Sequence, residues 1–196
     1  EIGPGRGAVT VPLLTAAGAI DVIEIDRDVV PVLEQHCRNR GTLRVHLRDA
    51  LEFNFRALRG EGPRLRLVGN LPYNISTPLL FHFIGQLDAI SDMHFMLQKE
   101  VVERMAAGPG SKVYGRLSVM LQASCAVTPL FIVPPGAFRP APKVESAVIH
   151  LEVRPEMPLP WEEQPLFFKI LNAGFRQKRK QVANAITENH PDVHVL

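Results

Sequence analysis

The sequence predicts an α/β fold: a mostly parallel sheet covered on both faces by helices, followed by a small helical unit. Three observations predict it. Short apolar runs alternate with stretches of helical spacing from Thr10 to Leu97. Two β-rich runs, Ala126 to Val133 and Val144 to Val153, are then separated only by the proline-rich Pro134 to Pro142, the signature of an antiparallel pair. Finally, Pro155, Pro158 and Pro160 punctuate the chain before a helix-like stretch from Trp161 to Asn189.

The elements follow in order. Glu1 to Gly7 reads as the end of a strand running into a glycine turn, so a central strand is expected to precede Glu1 and the chain to be longer at that end. Thr10 is placed to cap a helix with Pro12 in its first turn, turning Val9, Leu13, Leu14 and Ala17 inward and stopping at Gly18. Ile20 to Ile25 is a short strand. Val29, Val30, Leu33 and Cys37 recur at near-helical spacing up to Gly41, and Leu43 to Leu47 is the next strand. Leu65 to Val68 is another, ending in Gly69-Asn70. Ser76 or Thr77 then caps a helix with Pro78 at its start, and Met93 to Leu97 is strand-like.

Composition excludes several classes. With 196 residues, 46% hydrophobic and 21% charged, the chain can build a real core and is neither a disordered tail nor a collagen-like rod. Lys plus Arg number 22 against 20 for Asp plus Glu, a net charge of +2, so any basic footprint must be local. The two cysteines, Cys37 and Cys125, lie far apart with no CxxC or Cys/His cluster. Buried reduced thiols are expected, with no disulfide scaffold and no metal site. No apolar run approaches the ~18 residues of a membrane span and no basic, apolar leader opens the sequence, which places the protein in the cytoplasm.

Gly3, Gly5 and Ala8 satisfy G-x-G-x-x-G/A, and Glu24 closes the following strand about 20 residues on, where an acid takes a ribose hydroxyl. The pattern fits a nicotinamide cofactor as well as S-adenosylmethionine, since both present a ribose to the acid. Gly7 and Asp49-Ala50 at the next strand end shift the balance toward the second. An acid there accepts a hydrogen bond from an adenine amino group while its neighbour's backbone N–H donates to a ring nitrogen.

Asn70-Leu71-Pro72-Tyr73 is the informative tetrapeptide. It resembles the (Asp/Asn/Ser)-Pro-Pro-(aromatic) signature of methyltransferases that act on exocyclic amines, with Leu71 in place of the first proline. The N6 amine of adenine is a poor nucleophile because its lone pair is delocalised into the ring. Two acceptors, the Asn70 side-chain oxygen and the Leu71 carbonyl, would draw its two N–H bonds into a pyramidal geometry with the lone pair aimed at a sulfonium methyl. Pro72 stiffens the turn, and Tyr73 offers a flat face for an extruded base, worth ~1 to 3 kcal/mol.

In one order the chain carries Gly3 to Gly7, Glu24, Asp49, Asn70 to Ser76, Gln98-Lys99-Glu100-Val101-Val102, Tyr114-Gly115-Arg116-Leu117-Ser118, Phe138 to Val144 and Phe175 to Lys180. This series resembles the bacterial KsgA/RsmA 16S rRNA adenine N6,N6-dimethyltransferases over nearly its whole length. The resemblance implies a Rossmann-like class I S-adenosylmethionine-dependent methyltransferase fold with a seven-stranded sheet, spanning 1–154, and a small α-helical C-terminal domain, 155–196. It implies dimethylation of two adjacent adenosines in a hairpin loop near the 3′ end of 16S rRNA within the pre-30S subunit, by a monomer. Carried over by position, Gly3, Glu24, Asp49 and Asn70 lie on the cofactor side, and Tyr73 and Phe138 flank the target base. The sister Erm-type enzymes of the large subunit share an Asn-(Ile/Leu)-Pro-Tyr motif; Leu71, Asn74 and Tyr114 to Ser118 favour the small-subunit group. A nonenzymatic RNA-associated relative is the other alternative, against which the intact Asn70 and Tyr73 speak.

For RNA contact, Arg176, Lys178, Arg179 and Lys180 put four cations in five positions, and Lys112, Arg116, Arg139 and Lys143 lie in or beside glycine- and proline-rich loops. Such clusters suit phosphates, while an unpaired loop adenine is cheaper to flip than one in a duplex.

Overall fold

The structure is a computed structural model, and it describes residues 1–155 and 164–175. In chain order the elements are α1 (Thr10–Ala17), β1 (Ala19–Glu24), α2 (Val30–Cys37), β2 (Thr42–Leu47), α3 (Phe55–Arg59), β3 (Leu65–Asn70), α4 (Ser76–Ile84), β4 (Ile90–Gln98), α5 (Lys99–Ala106), α6 (Arg116–Ser124), β5 (Cys125–Val133), β6 (Ser146–Val153) and α7 (Gln164–Gly174). β1 pairs parallel with β2, and β3 with β4; β6 lies antiparallel between β4 and β5, giving the order β3-β4-β6-β5. The antiparallel pair anticipated across the proline-rich connection is therefore present, at the edge of an otherwise parallel sheet.

Ile2 joins the two parts. It bridges Ile23 on one side and Gly69 on the other, both parallel, and its N–H donates to the Val68 carbonyl at 2.8 Å while Gly3 N–H donates to Ile23 at 2.9 Å. The residues expected to end a central strand thus occupy that place. Gly69 makes the approach possible: a Cβ there would stand 2.8 Å from the Ile2 carbonyl oxygen. Behind Ile2, a cavity of about 680 Å³ runs between β1 and β3, lined by Leu13, Ile20, Phe55, Leu67 and their neighbours. It touches Asn70 but none of Gly3, Gly5, Glu24 or Asp49, so it marks the separation between the two parts of the sheet and is distinct from the crevice at the strand ends.

One face of the four-stranded part is the main core. Met93, Phe95 and Leu97 alternate inward along β4 and meet Leu79 and Phe83 of α4, Val101 and Met105 of α5, and Leu121 of α6. Phe83 stacks on Phe95 with centroids 5.2 Å apart. Phe168 and Leu171 of α7 pack on this same core. A smaller cluster, Leu14, Val22, Leu33 and Cys37, sits where α1 and α2 cover β1.

Several local expectations are corrected. Thr10 is the first residue of α1 and not its cap: Val9 holds the cap position, no side-chain hydrogen bond caps the helix among the described residues, and the Thr10 side chain is fully buried. Val9 and Ala17 are exposed, so Leu14 carries the burial of α1. At α4 Ile75 holds the cap position, and Ser76 Oγ donates back to the Tyr73 carbonyl at 3.2 Å. α3, α5 and α6 were not foreseen. Of the helix expected over Trp161 to Asn189, α7 is observed and the remainder lies outside the described residues. Among the described residues no helix is long and apolar enough to cross a membrane. Both cysteines are free and buried, and burial pushes the Cys125 thiol up to about 12, which makes it unreactive.

On the opposite sheet face, His94 of β4 sits directly across from His150 of β6, their rings stacked at 4.2 Å and 21°. Asp92 lies beside them, its Oδ2 held by Arg66 Nε at 2.8 Å. These three side chains place ligand atoms within 4.8 Å of one another. Stacked rings, however, direct their in-plane lone pairs side by side and not to a common point, so the group reads as a charge cluster. Burial and His150, with Arg66, hold His94 below the ordinary histidine pKa of about 6.5, against the opposing pull of Asp92. The folded state thus binds fewer protons than the unfolded chain, and this contribution to stability is complete above about pH 6.5 and is lost as pH falls through the depressed value. The thermal midpoint is expected to drop between pH 7.5 and 5.5, and to drop less in His94→Gln, as calorimetry at several pH values will show.

Candidate active site at the strand ends

β2, β1, the Ile2 segment and β3 are neighbours, and each ends at the same edge of the sheet with one of the polar groups anticipated from sequence. Open α/β sheets bind ligands at this carboxyl edge. After Ile2 the chain turns through Gly3, Gly5 and Gly7, with φ of +62°, +53° and +91°. A Cβ at Gly3 or Gly5 would meet nothing within 4 Å, so glycine is required there by backbone conformation, and the space beside the turn is open to a ligand. Gly7 differs. Its Cβ would also stand 2.9 Å from Leu33 Cδ1, so besides the left-handed backbone that all three share, this glycine eases the approach of α1 and α2.

Glu24 is only 8% exposed. Its Oε1 accepts from the N–H groups of Ile25 (2.9 Å) and Asp26 (3.0 Å), and its Oε2 accepts from Gly5 N–H at 3.2 Å. The carboxylate therefore fixes the glycine turn to the end of β1 and keeps lone-pair capacity on Oε2. Arg48 N–H donates to the Glu24 carbonyl at 3.0 Å, which brings Asp49 to the adjoining strand end. Asp49 Oδ1 accepts from Leu51 N–H at 2.8 Å; its Oδ2, and the N–H of Ala50, have no partner among the described residues. Open glycine backbone, a diol acceptor and an unpaired acceptor–donor couple are the donor and acceptor set that a nucleoside-bearing methyl donor requires, so the residues present fit S-adenosylmethionine.

Asn70 ends β3 and is exposed, and among the described residues neither its side-chain amide nor the Leu71 carbonyl has a partner. Leu71 is anchored on two sides: its N–H donates to the Met96 carbonyl at 3.1 Å and its side chain is 1% exposed in the main core. This bond accounts for the departure from the two-proline form of the motif, because a proline at 71 has no N–H to donate. Pro72 is exposed and accepts from Ile75 N–H at 3.2 Å. Tyr73 is half-buried, and its hydroxyl lies 2.6 Å from Ser146 Oγ at the start of β6. That pairing was not foreseen, because the residues are 73 positions apart.

The connection from β5 to β6 is pinned beside this turn. Lys99 donates from its N–H to the Glu145 carbonyl at 3.0 Å and from Nζ to the Glu145 carboxylate at 2.8 Å, holding the Lys99 ammonium above its usual range. Phe138 of this loop is half-buried and makes no ring pair among the described residues. Lys112, Arg139 and Lys143 are exposed. Arg116 has a task inside the fold: it donates to Asn172 Oδ1 of α7 at 2.7 Å and lies 4.8 Å from the Phe81 ring centroid. Arg176, Lys178, Arg179 and Lys180 lie outside the described residues.

The comparisons with known proteins agree with this geometry. The family described as "Ribosomal RNA adenine dimethylase" matches residues 1–195. "Ribosomal RNA small subunit methyltransferase A" of Xanthomonas axonopodis pv. citri is 57% identical over 187 residues, 95% of this chain and 71% of its own length, and that of Xanthomonas campestris pv. campestris is 56% identical over the same share. Among solved structures, a dimethyladenosine transferase from Plasmodium falciparum superposes with a TM-score of 0.78 at 30% identity, over 95% of this chain and 66% of that one. The 23S rRNA methyltransferase ErmE superposes at 0.75 with 22% identity, over 97% and 75%, a likeness of fold. With the glycine turn, the two strand-end acids and the Asn-Leu-Pro-Tyr edge in register, the chain belongs to the ribosomal RNA adenine dimethylase family.

Proposed function

We propose that the protein transfers methyl groups from S-adenosylmethionine to N6 of two adjacent adenosines in a hairpin loop near the 3′ end of 16S rRNA, acting as a monomer in the cytoplasm on the pre-30S subunit. The observation that carries the reading is a pair of acceptors without a partner among the described residues, Asn70 and the Leu71 carbonyl, at the same sheet edge as the glycine turn and Glu24. Identity of 56 to 57% to proteins named for the small subunit favours that substrate over the large-subunit RNA of ErmE.

Gly3, Gly5, Gly7, Glu24, Asp49, Ala50 and Asn70 would hold the cofactor, which supplies an electrophilic sulfonium methyl. Backbone at Gly3 and Gly5 lets the ligand approach, Glu24 takes a diol, and Asp49 with Ala50 reads an adenine edge. Asn70 Oδ1 and the Leu71 oxygen accept the two N–H bonds of the target amine and turn its lone pair away from the ring. Tyr73 stacks the extruded base on one side and Phe138 closes the other. No general base has to act before attack, because the amine loses its proton after the methyl has moved. We read 155–196 as a small α-helical C-terminal domain, with Arg176, Lys178, Arg179 and Lys180 and the loop cations Lys112, Arg116, Arg139 and Lys143 as the phosphate contacts.

The test is methyl incorporation from labelled S-adenosylmethionine into small subunits that lack the modification, compared with large subunits. Label confined to two adenosines of 16S rRNA is the expected result, and label in large-subunit RNA would overturn the assignment.

A further inference from the structure

We propose that Ser146 is a positioning residue for methyl transfer: its buried hydroxyl holds the Tyr73 ring in the orientation that receives the target base. The inference rests on the reading of Tyr73 as the stacking face.

Ser146 is 0% exposed and opens β6, in register with Gln98 of β4 and Val133 of β5. With its backbone held between two strands, its Oγ is a fixed point. Tyr73 has the opposite character. It sits in a turn between exposed Pro72 and Asn74, and the turn's own bonds, Ile75 N–H to Pro72 and Ser76 Oγ to the Tyr73 carbonyl, are both 3.2 Å. The phenol–serine contact, at 2.6 Å, is the shortest bond on this turn and ties it to a strand 73 residues away.

Two considerations separate this role from ordinary packing. Base stacking needs an aromatic face and no hydroxyl, so a phenylalanine would serve at position 73 if stacking were the whole requirement. Equally, a hydroxyl in a fully buried strand is costly unless bonded, and among the described residues Ser146 Oγ bonds only Tyr73. Each hydroxyl accounts for the other. The phenol oxygen lies on the ring's long axis, so the bond fixes where that axis points and hence where the ring stands beside the turn, the position a stacked base depends on. Lys99 and Glu145, the residue before Ser146, brace the same strand start.

The experiment compares Ser146→Ala, Tyr73→Phe and the double variant in single-turnover methylation of unmodified small subunits. Cofactor affinity, thermal midpoint and the fluorescence of an RNA hairpin carrying 2-aminopurine at the target position are followed in parallel. Each single variant is expected to lower the single-turnover rate about 3- to 10-fold, the range of one net hydrogen bond. The double variant should be no slower than the slower single one, because both remove the same bond. Cofactor affinity should stay within about twofold, and quenching of the flipped 2-aminopurine should weaken equally in both single variants. Wild-type rates in both, losses that multiply in the double variant, or a loss that tracks only the thermal midpoint with quenching unchanged would overturn the proposal. Failure of the underlying reading would show separately, as wild-type enzyme that labels no ribosomal RNA, and the inference would fall with it.

Discussion

Asn70→Ala is expected to lower the rate of methyl transfer by about 100-fold or more while RNA affinity changes less than about threefold. The side chain is exposed at the end of β3 with no partner of its own among the described residues, so its removal leaves the fold intact. On the proposed mechanism what is lost is an acceptor for the amine as it pyramidalises, and deleting one preorganised polar group of this kind costs other enzymes about 10² to 10³ in turnover. Phosphate contacts, which supply most of the affinity, are untouched. Single-turnover rates and filter binding on the same unmodified subunits check both halves. A variant that keeps full turnover would sink the amine-polarising role.

Glu24→Ala is expected to weaken S-adenosylmethionine binding about 10- to 100-fold, measured by calorimetric titration. A hydrogen bond to a charged group is worth about 1.5 to 3 kcal/mol, which converts to that range at about 1.4 kcal/mol per tenfold. The same substitution releases three N–H groups, those of Gly5, Ile25 and Asp26, so the thermal midpoint should fall as well. Glu24→Gln separates the two effects. Its amide oxygen can still accept from Ile25 and Asp26, so it should recover most of the midpoint while binding remains weak. Recovery of binding together with the midpoint would mean that Glu24 acts only by holding the glycine turn.

The parts of the site legible in the sequence are those set by local rules. Positive φ at Gly3 and Gly5, an acid closing β1 and a rigid Asn-Leu-Pro-Tyr turn all follow from residue types a few positions apart. Parallel alternation likewise foretold β1 to β4, and the proline-rich connection foretold the antiparallel β5 and β6. What escaped depends on distance or context. α5 begins at Lys99 directly where β4 ends at Gln98, with no turn residue to announce the change, and α3 is only five residues long. Thr10 has the chemistry of a cap but lies inside the helix, where burial of its side chain overrides the local preference. Arg116, read as a phosphate ligand from its loop neighbours, also has a partner within the chain, Asn172, 56 positions on, which no local rule announces. The Tyr73–Ser146 bond was invisible for the same reason.

On the proposed mechanism Leu71 offers an oxygen to the target amine while its side chain belongs to the interior, and the second controls the first. Because the Leu71 N–H is held by the Met96 carbonyl and its side chain lies in the main core, the backbone angles that aim its carbonyl are inherited from how well that core is filled. Catalytic speed and interior fit are consequently one selectable trait in this enzyme. A trimmed or swollen side chain beneath β3 that hardly alters the melting curve can still misdirect the oxygen, so slow variants should turn up among residues that never meet RNA.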